Sequence, residues 1–361
     1  MHGEVTGSRL GAFLGELCPT LTPGFAWSVR MGERRWAGGW GGSAVVDPET
    51  RPVEESTLFD LASLTKPLVT ALLALLAYDQ GEIDLEGPVP GSPDPELTWL
   101  RLLRHEAGYP AWKPIYAFAE GREAIRTWLL YHCPRSSEGR SEYGCPGYVL
   151  LGLLLEQILR KRLDALFSER VAGPLGLTSE MACFLPGENL RCLCASTERG
   201  PEQREAEMAR QYGAAPPLLP PSLGAWGVVN DGNARWMEGV SGNAGLFGTL
   251  RAVEMLAEAY RPERAFLSAQ ALKWAWAPAS CGQGESRTAG WKAAGSPGWC
   301  TGKVLRGGSI GHEGYTGTGL WMEPHEGPIF ILLTNRIHPV HPGTDFGPAR
   351  ARFIEAAKEL M

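Results

Sequence analysis

Residues 61–66 read Leu-Ala-Ser-Leu-Thr-Lys, and the spacing of Ser63 and Lys66 decides how the rest of the chain is read. The hexapeptide lies between a strand-like run, Leu58 to Leu61, and an apolar helical run, Leu68 to Tyr78. Side chains three apart on a helix share one face, so a hydroxyl and an amine point into the same cleft. A serine at a helix start sits among free backbone N–H groups, where negative charge is favoured. Such a serine can attack a carbonyl carbon, and backbone donors can hold the resulting oxyanion. Pro67 is tolerated because the first helical turn has no use for its N–H. Taken alone, S-x-x-K also describes a solvated lysine beside a capping serine. Here Lys66 opens a strongly apolar run, which places it in a site or in the core.

The 361 residues are 44% hydrophobic, enough for one large core or two smaller ones. With 46 glycines and 28 prolines the chain reads as globular and loop-rich, neither a helical bundle nor disordered. The net charge of -6 comes without any basic block, which argues against a nucleic-acid partner. No apolar run is expected to span a bilayer. The first residues lack a basic start, a clean apolar stretch and an A-x-A site, so the expected location is cytoplasmic. The 8 cysteines are irregularly spaced and are expected to be reduced and mostly buried.

Leu10 to Leu17 reads as a short helix. Phe25 to Arg30 and Arg35 to Gly42 read as strands joined by a turn at Met31-Gly32-Glu33, the first half-buried by its alternation. From Asp84 onward prolines 88, 90, 93 and 95 make a connector. Helical patterns follow at Leu97–Arg104, Arg122–His132 and Gly147–Leu166. Arg199 to Ser222 is charged, then proline-rich, and reads as surface loop. Gly245 to Tyr260 is strand then helix. Strands are expected at Val304–Ile310, Gly317–Met322 and Ile329–Thr334, and a last helix at Pro348–Leu360.

Two further stretches carry candidate chemistry. Tyr143 lies in R-S-E-Y-G-C-P-G just before an apolar helix, from where it can reach back to the serine. A phenolate there, its pKa lowered by nearby cations, would act as a general base. His312 lies in G-G-S-I-G-H-E-G-Y-T-G-T-G-L-W, whose glycines let a substrate approach the strand backbone. It can orient a substrate or donate a hydrogen bond, and Tyr315 can offer its N–H to an oxyanion.

The order S-x-x-K, then Y-x-x before an apolar helix, then H-x-G before a strand resembles the penicillin-recognising serine hydrolases. The closer resemblance is to the class C β-lactamase-like branch, with its carboxylesterases, DD-peptidases and D-aminopeptidases. L-F-D-L-A-S-L-T-K-P resembles the nucleophile segment of that branch, and L-L-R-H-E-A-G-Y-P, with His105 and Gly108, its H-T-S-G-L-P loop. P-L-G-L at 174–177 resembles its P-L-G-M turn, and L-L-T-N-R-I-H-P matches near the C-terminus. The resemblance implies that Ser63 is the acylated nucleophile and that Lys66 takes or holds its proton. It makes Tyr143 the partner base and places His312 where many relatives carry the Lys of K-T-G. The N–H groups of Ser63 and Tyr315 would form the oxyanion hole, flanked by Gly314. Cys145 stands where the branch has the Asn of Y-x-N, and so lacks an amide donor for acyl-amide substrates. Asn230 and Asn243 stand where relatives carry histidines.

His105-Glu106 is not followed by the second histidine of a zinc-binding H-E-x-x-H, since Tyr109 is there. His338 and His341 read as packed imidazoles of a proline loop. Among the tryptophans, Trp112 and Trp226 flank loop motifs and are the candidates for lining a cleft.

These observations lead to an α/β (α+β) chain with a serine β-lactamase/DD-peptidase-like fold, an antiparallel sheet flanked by helices plus a mainly helical domain. The expected sheet domain is discontinuous, 1–85 and 236–361, with a helical insertion at 86–235. The expected activity is hydrolysis of a small ester, amide or β-lactam through an acyl-serine, without metal or cofactor. Two alternatives on the same fold are a non-catalytic binding protein and a slowly deacylating β-lactam or muropeptide sensor.

Overall fold

The computed structural model describes residues 8–32, 34–136, 141–198, 203–215, 226–278, 284–339 and 343–361. Strands β1 (Gly24–Met31), β2 (Arg34–Val45) and β3 (Arg51–Pro52) come from the N-terminal part of the chain, and β4 (Phe59–Asp60) leads into the serine. Strands β5 (Ala182–Phe184) and β6 (Leu246–Gly248) come from the middle. Strands β7 (Lys292–Ala293), β8 (Ile310–Glu313), β9 (Gly319–Met322) and β10 (Ile329–Thr334) come from the last third. The larger sheet has the order β3-β2-β1-β10-β9-β8-β7 and the smaller one β4-β6-β5, with every ladder antiparallel. The pairing of β1 with β10 joins the two ends of the chain in one sheet, with Trp27 opposite Leu332. The mainly helical stretch between them also contributes β5 to the smaller sheet.

β1 is buried on both faces rather than half-buried. Phe25, Trp27 and Val29 meet the helices Arg9–Leu17 and Gly347–Lys358, in a cluster with Phe13, Phe330 and Phe353. The polar alternates are covered too. Arg30 is buried against Glu254, 3.3 Å away, and Glu258, both on the helix Leu250–Glu258. The alternation thus separates two buried environments, one apolar and one carrying its own counter-ions.

The larger core lies between the inner sheet face and the central helices, and includes Leu68, Leu72, Tyr148, Leu151, Ile331 and Leu333. At its centre runs Ala62–Asp79. Contrary to expectation this run is long and apolar enough to cross a bilayer, but 83% of it is buried inside the fold. It is not one regular helix. Ala62–Leu64 is a 3₁₀ turn, Lys66–Ala71 is a wider π-type stretch, and Leu72–Asp79 is α-helical. Such wide turns recur at functional sites. Its polar side chains are tied to the segment 242–246: Thr70 Oγ1 donates to Gly242 O at 2.7 Å, and Thr65 Oγ1 accepts from Leu246 N at 3.2 Å.

Four expectations are corrected. The strand expected at Val304–Ile310 begins only at Ile310, because Gly307-Gly308 forms a turn with φ +83° at Gly308. The helix expected at Gly147–Leu166 is Cys145–Leu159, which stops at Arg160 in the left-handed region, followed by Leu163–Phe167. Within the expected loop Arg199–Ser222, the helix formers of Gln203–Arg210 make a helix; residues 199–202 and 216–222 lie outside the described residues. Ser63 belongs to the 3₁₀ turn rather than to the first turn of an α-helix. The cysteines at 18, 133, 145, 183, 192, 194 and 300 are free thiols; Cys281 lies outside the described residues.

Candidate active site

The serine turn is set by its neighbours. Ala62 has φ +46°, a conformation that costs a non-glycine residue energy and persists only when its surroundings impose it. Asp60 imposes it, accepting from Ala62 N and Asn230 N, both at 2.8 Å. From the other side Thr316 Oγ1 donates to Asp60 O at 2.8 Å and Thr318 Oγ1 to Leu61 O at 3.2 Å. These two hydroxyls fasten the β8–β9 turn, with Gly314 and Tyr315, against the serine turn. The approach is close: a Cβ on Gly314 would lie 2.0 Å from Thr318 Oγ1 and 2.8 Å from Leu61 O.

Ser63 Oγ lies 2.7 Å from Tyr143 Oη and 2.9 Å from Lys66 Nζ. Lys66 is fully buried and also reaches Asn243 O at 3.0 Å and Cys145 Sγ at 3.5 Å. Cys145 Sγ is 3.6 Å from Tyr143 Oη. Because Asn243 holds Lys66 through its carbonyl, the identity of its side chain does not enter that contact. His105 orients the tyrosine loop. Its Nδ1 accepts from Gly144 N at 3.0 Å, and its ring lies 4.8 Å from those of Tyr143 and Tyr148.

Burial decides the charge states. It lowers the Lys66 pKa, and it holds Tyr143 well above the ordinary phenol value. The expected phenolate is therefore reversed: desolvation of Tyr143 outweighs the nearby Arg287 cation and keeps it a phenol, while the same burial biases Lys66 towards the neutral amine. His312 is held well below the usual imidazole value, first by burial and then by Lys66 and Arg287. A neutral ring with Nδ1 3.0 Å from Glu313 O donates from Nδ1, which leaves Nε2 an acceptor. His312, placed where many relatives carry a lysine, is thus a neutral imidazole.

Among the described residues the cavity is lined by three cations that local sequence did not single out, Arg287, Lys292 and Arg350, the last paired with Glu313 at 3.2 Å. Arg287 is buried, stacks 5.3 Å over the Tyr143 ring and donates to Glu285 from Nε at 2.8 Å. Lys292 Nζ meets the same carboxylate at 2.9 Å, so two cations share one anion. A cavity of about 580 Å³ opens over the serine. Ser63, Tyr143, Cys145, His312, Gly314, Tyr315, Trp112 and Asn230 all line it. Trp226 does not. It lies under the Arg51 guanidinium, 4.6 Å away, with its backbone bridged to Ser196. His338 is a satisfied loop histidine between Thr197 O and Val46 N, and His341 lies outside the described residues. Asp60 had a local signal, an Asx residue two positions before the N–H it accepts. Arg287 had none, since its role depends on where the sheet carries it.

The family model described as Beta-lactamase matches residues 19–352. The chain belongs to the Beta-lactamase family. Among its relatives, this family member is 26% identical over 309 residues to the N-acetylmuramyl-L-alanine amidase of Bacillus subtilis (strain 168), covering 78% of this chain and 68% of the relative. It is 25% identical over 342 residues to the "Putative D-alanyl-D-alanine carboxypeptidase" of Escherichia coli (strain K12), covering 83% and 75%. A solved family VIII carboxylesterase shares the fold with a TM-score of 0.71 at 18% identity, over 99% of this chain and 98% of that one.

Proposed function

We propose that this family member is a serine hydrolase that cleaves a small ester or amide through an acyl-serine intermediate on Ser63. The observation that carries the reading is the hydroxyl–amine–phenol cluster, 2.9 and 2.7 Å apart, on the wall of a substrate-sized cavity. The proton count closes around Lys66. As a neutral amine it turns two N–H bonds to Asn243 O and Cys145 Sγ, and its lone pair to the Ser63 hydroxyl. Ser63 Oγ attacks the acyl carbon and its proton passes to Lys66 Nζ. The tetrahedral oxyanion is held by the N–H groups of Ser63 and Tyr315. Its collapse breaks the bond to the leaving group, which takes a proton from Tyr143, and Lys66 restores that proton. Water then attacks the acyl carbon by the same route and frees the acid.

Two features narrow the substrate. Arg287 and Lys292 against a single Glu285 leave net positive charge on the sheet-side wall, which favours a substrate carrying an anionic group. The Cys145 thiol supplies no amide-type donor for an acyl-amide group, which favours esters. Intact-mass measurement after exposure to a fluorophosphonate should show one adduct in the wild type and none in Ser63→Ala, with aryl-ester turnover lost in parallel. Absence of an adduct on folded wild type would sink the reading and favour a binding role for the cavity.

A further inference from the structure

Another stretch of the cavity wall carries a carboxylate with no ion pair among the described residues. Asp231 lines the cavity and is half-buried. Its Oδ1 accepts from Ala234 N at 2.8 Å and its Oδ2 from Trp112 Nε1 at 3.3 Å. Both donors are neutral, and each oxygen keeps a second lone pair. Among the described residues Asp231 has no ion pair. The neighbouring Glu205 differs, since Arg235 meets it at 3.3 Å and Tyr116 Oη donates to it at 2.9 Å. Beside Asp231, Asn230 also lines the cavity. It is 7% exposed, and its Oδ1 has no hydrogen-bond partner among the described residues. A charged acceptor, a neutral acceptor and the half-buried Trp112 indole thus share one stretch of wall. An ammonium group suits all three: it donates to both oxygens and is attracted by an aromatic ring.

The geometry points to a second substrate subsite in which Asp231, Asn230 and Trp112 receive a protonated amine, so that the preferred substrates are amino-acid-like esters or amides. The inference rests on the serine hydrolase reading for its chemistry, and on the wall itself for its binding. It makes the cavity bipolar, with an anion-facing side at Arg287 and a cation-facing side at Asp231, and the nucleophile in the same cavity.

The test compares the phenyl esters of D- and L-alanine with phenyl isobutyrate, in which a methyl group replaces the ammonium. At a pH where the amine is protonated, kcat/KM should favour one alanine ester by about tenfold or more, the worth of a charge-assisted hydrogen bond. In Asp231→Asn, which keeps an N-capping oxygen for Ala234 N, that ratio should fall towards one. A wild-type ratio near one, or a ratio that survives Asp231→Asn, would overturn the subsite. A second arm does not depend on turnover. Calorimetry on Ser63→Ala should detect alaninamide binding more tightly than isobutyramide, and equal binding of the two overturns the proposal. If none of the three esters is hydrolysed, the serine hydrolase reading fails, while the calorimetry still decides the subsite.

Discussion

A lysine without solvent, and without an ion pair among the described residues, loses its proton more easily than a free one, and Lys66 is in that position. The sign follows. The proposed mechanism needs the amine, so kcat/KM should rise with pH through one ionisation below the ordinary lysine value of 10.5. Tyr143, raised by burial, stays a phenol through its ordinary value of 10.0 and gives no falling limb below it. A pH profile with a falling limb in that range would assign the general acid elsewhere. Asp60 holds the serine turn in its conformation through two backbone N–H groups. Asp60→Ala leaves two buried backbone N–H groups without their acceptor, at about 1–3 kcal/mol each, and releases Ala62 from its φ of +46°. Denaturant unfolding should show the loss. Burial raises the Asp60 pKa from 3.8 to about 6, so protonation favours the fold. Its contribution is full below 3.8 and is lost as pH rises through about 6. The gap between wild type and variant should therefore be wider near pH 4 than near pH 8, by at most about 3 kcal/mol; an equal gap would contradict this. The Ser63–Lys66 pair was legible because three-residue spacing is local. The charge states of Tyr143 and His312 were not, because they follow from burial, which residue spacing does not give.

At the scale of elements, the β8–β9 turn acts as a clamp on the serine turn. Glycines 314 and 317 and threonines 316 and 318 alternate along it: the hydroxyls reach Asp60 O and Leu61 O, Gly314 leaves room for that approach, and Gly317 leaves room for Thr334 and Arg336 behind the turn. Gly314→Ala places a methyl against Thr318 Oγ1 and Leu61 O, so the turn must withdraw. A displacement near 1 Å at a catalytic centre costs on the order of 100-fold. Fluorophosphonate acylation of Gly314→Ala should slow by about that much, and an unchanged rate would show that the clamp does not set the geometry. The glycine-rich stretch was legible as a place of close approach, but its partner was not, because nothing in residues 310–320 names residues 60–61. The same limit explains the misplaced strand at Val304 and the overlong helix at Gly147–Leu166. Apolar residues recur beyond both true boundaries, at Val304 and Leu305 and at Leu163, but a glycine turn at 307–308 delays the strand and a left-handed Arg160 ends the helix.

Across the whole molecule, the outer layer formed by the two terminal helices has two separable tasks. The ordered motifs made the fold class readable, but not this division, since it depends on which residue of the last helix faces which layer. Phe13 and Phe353 pack with Trp27 in the outer core, ring centroids 6.5 Å apart for Phe13–Phe353 and 6.4 Å for Trp27–Phe353. One turn before Phe353, Arg350 points the other way. It donates to Gly314 O at 2.6 Å and Thr318 O at 3.2 Å, and meets Glu313 Oε2 at 3.2 Å. The outer layer therefore reaches through the sheet edge to hold the clamp that holds the serine. Phe13→Ala should cost about 3–5 kcal/mol in denaturant unfolding, as buried phenylalanines do, and leave kcat/KM of the folded protein unchanged. Arg350→Met should lower kcat/KM by more than its stability loss explains, because two turn carbonyls lose their donor while the aliphatic bulk remains. Equal effects of the two variants on kcat/KM would mean that the outer layer supports the site only through global stability, with no path through Arg350.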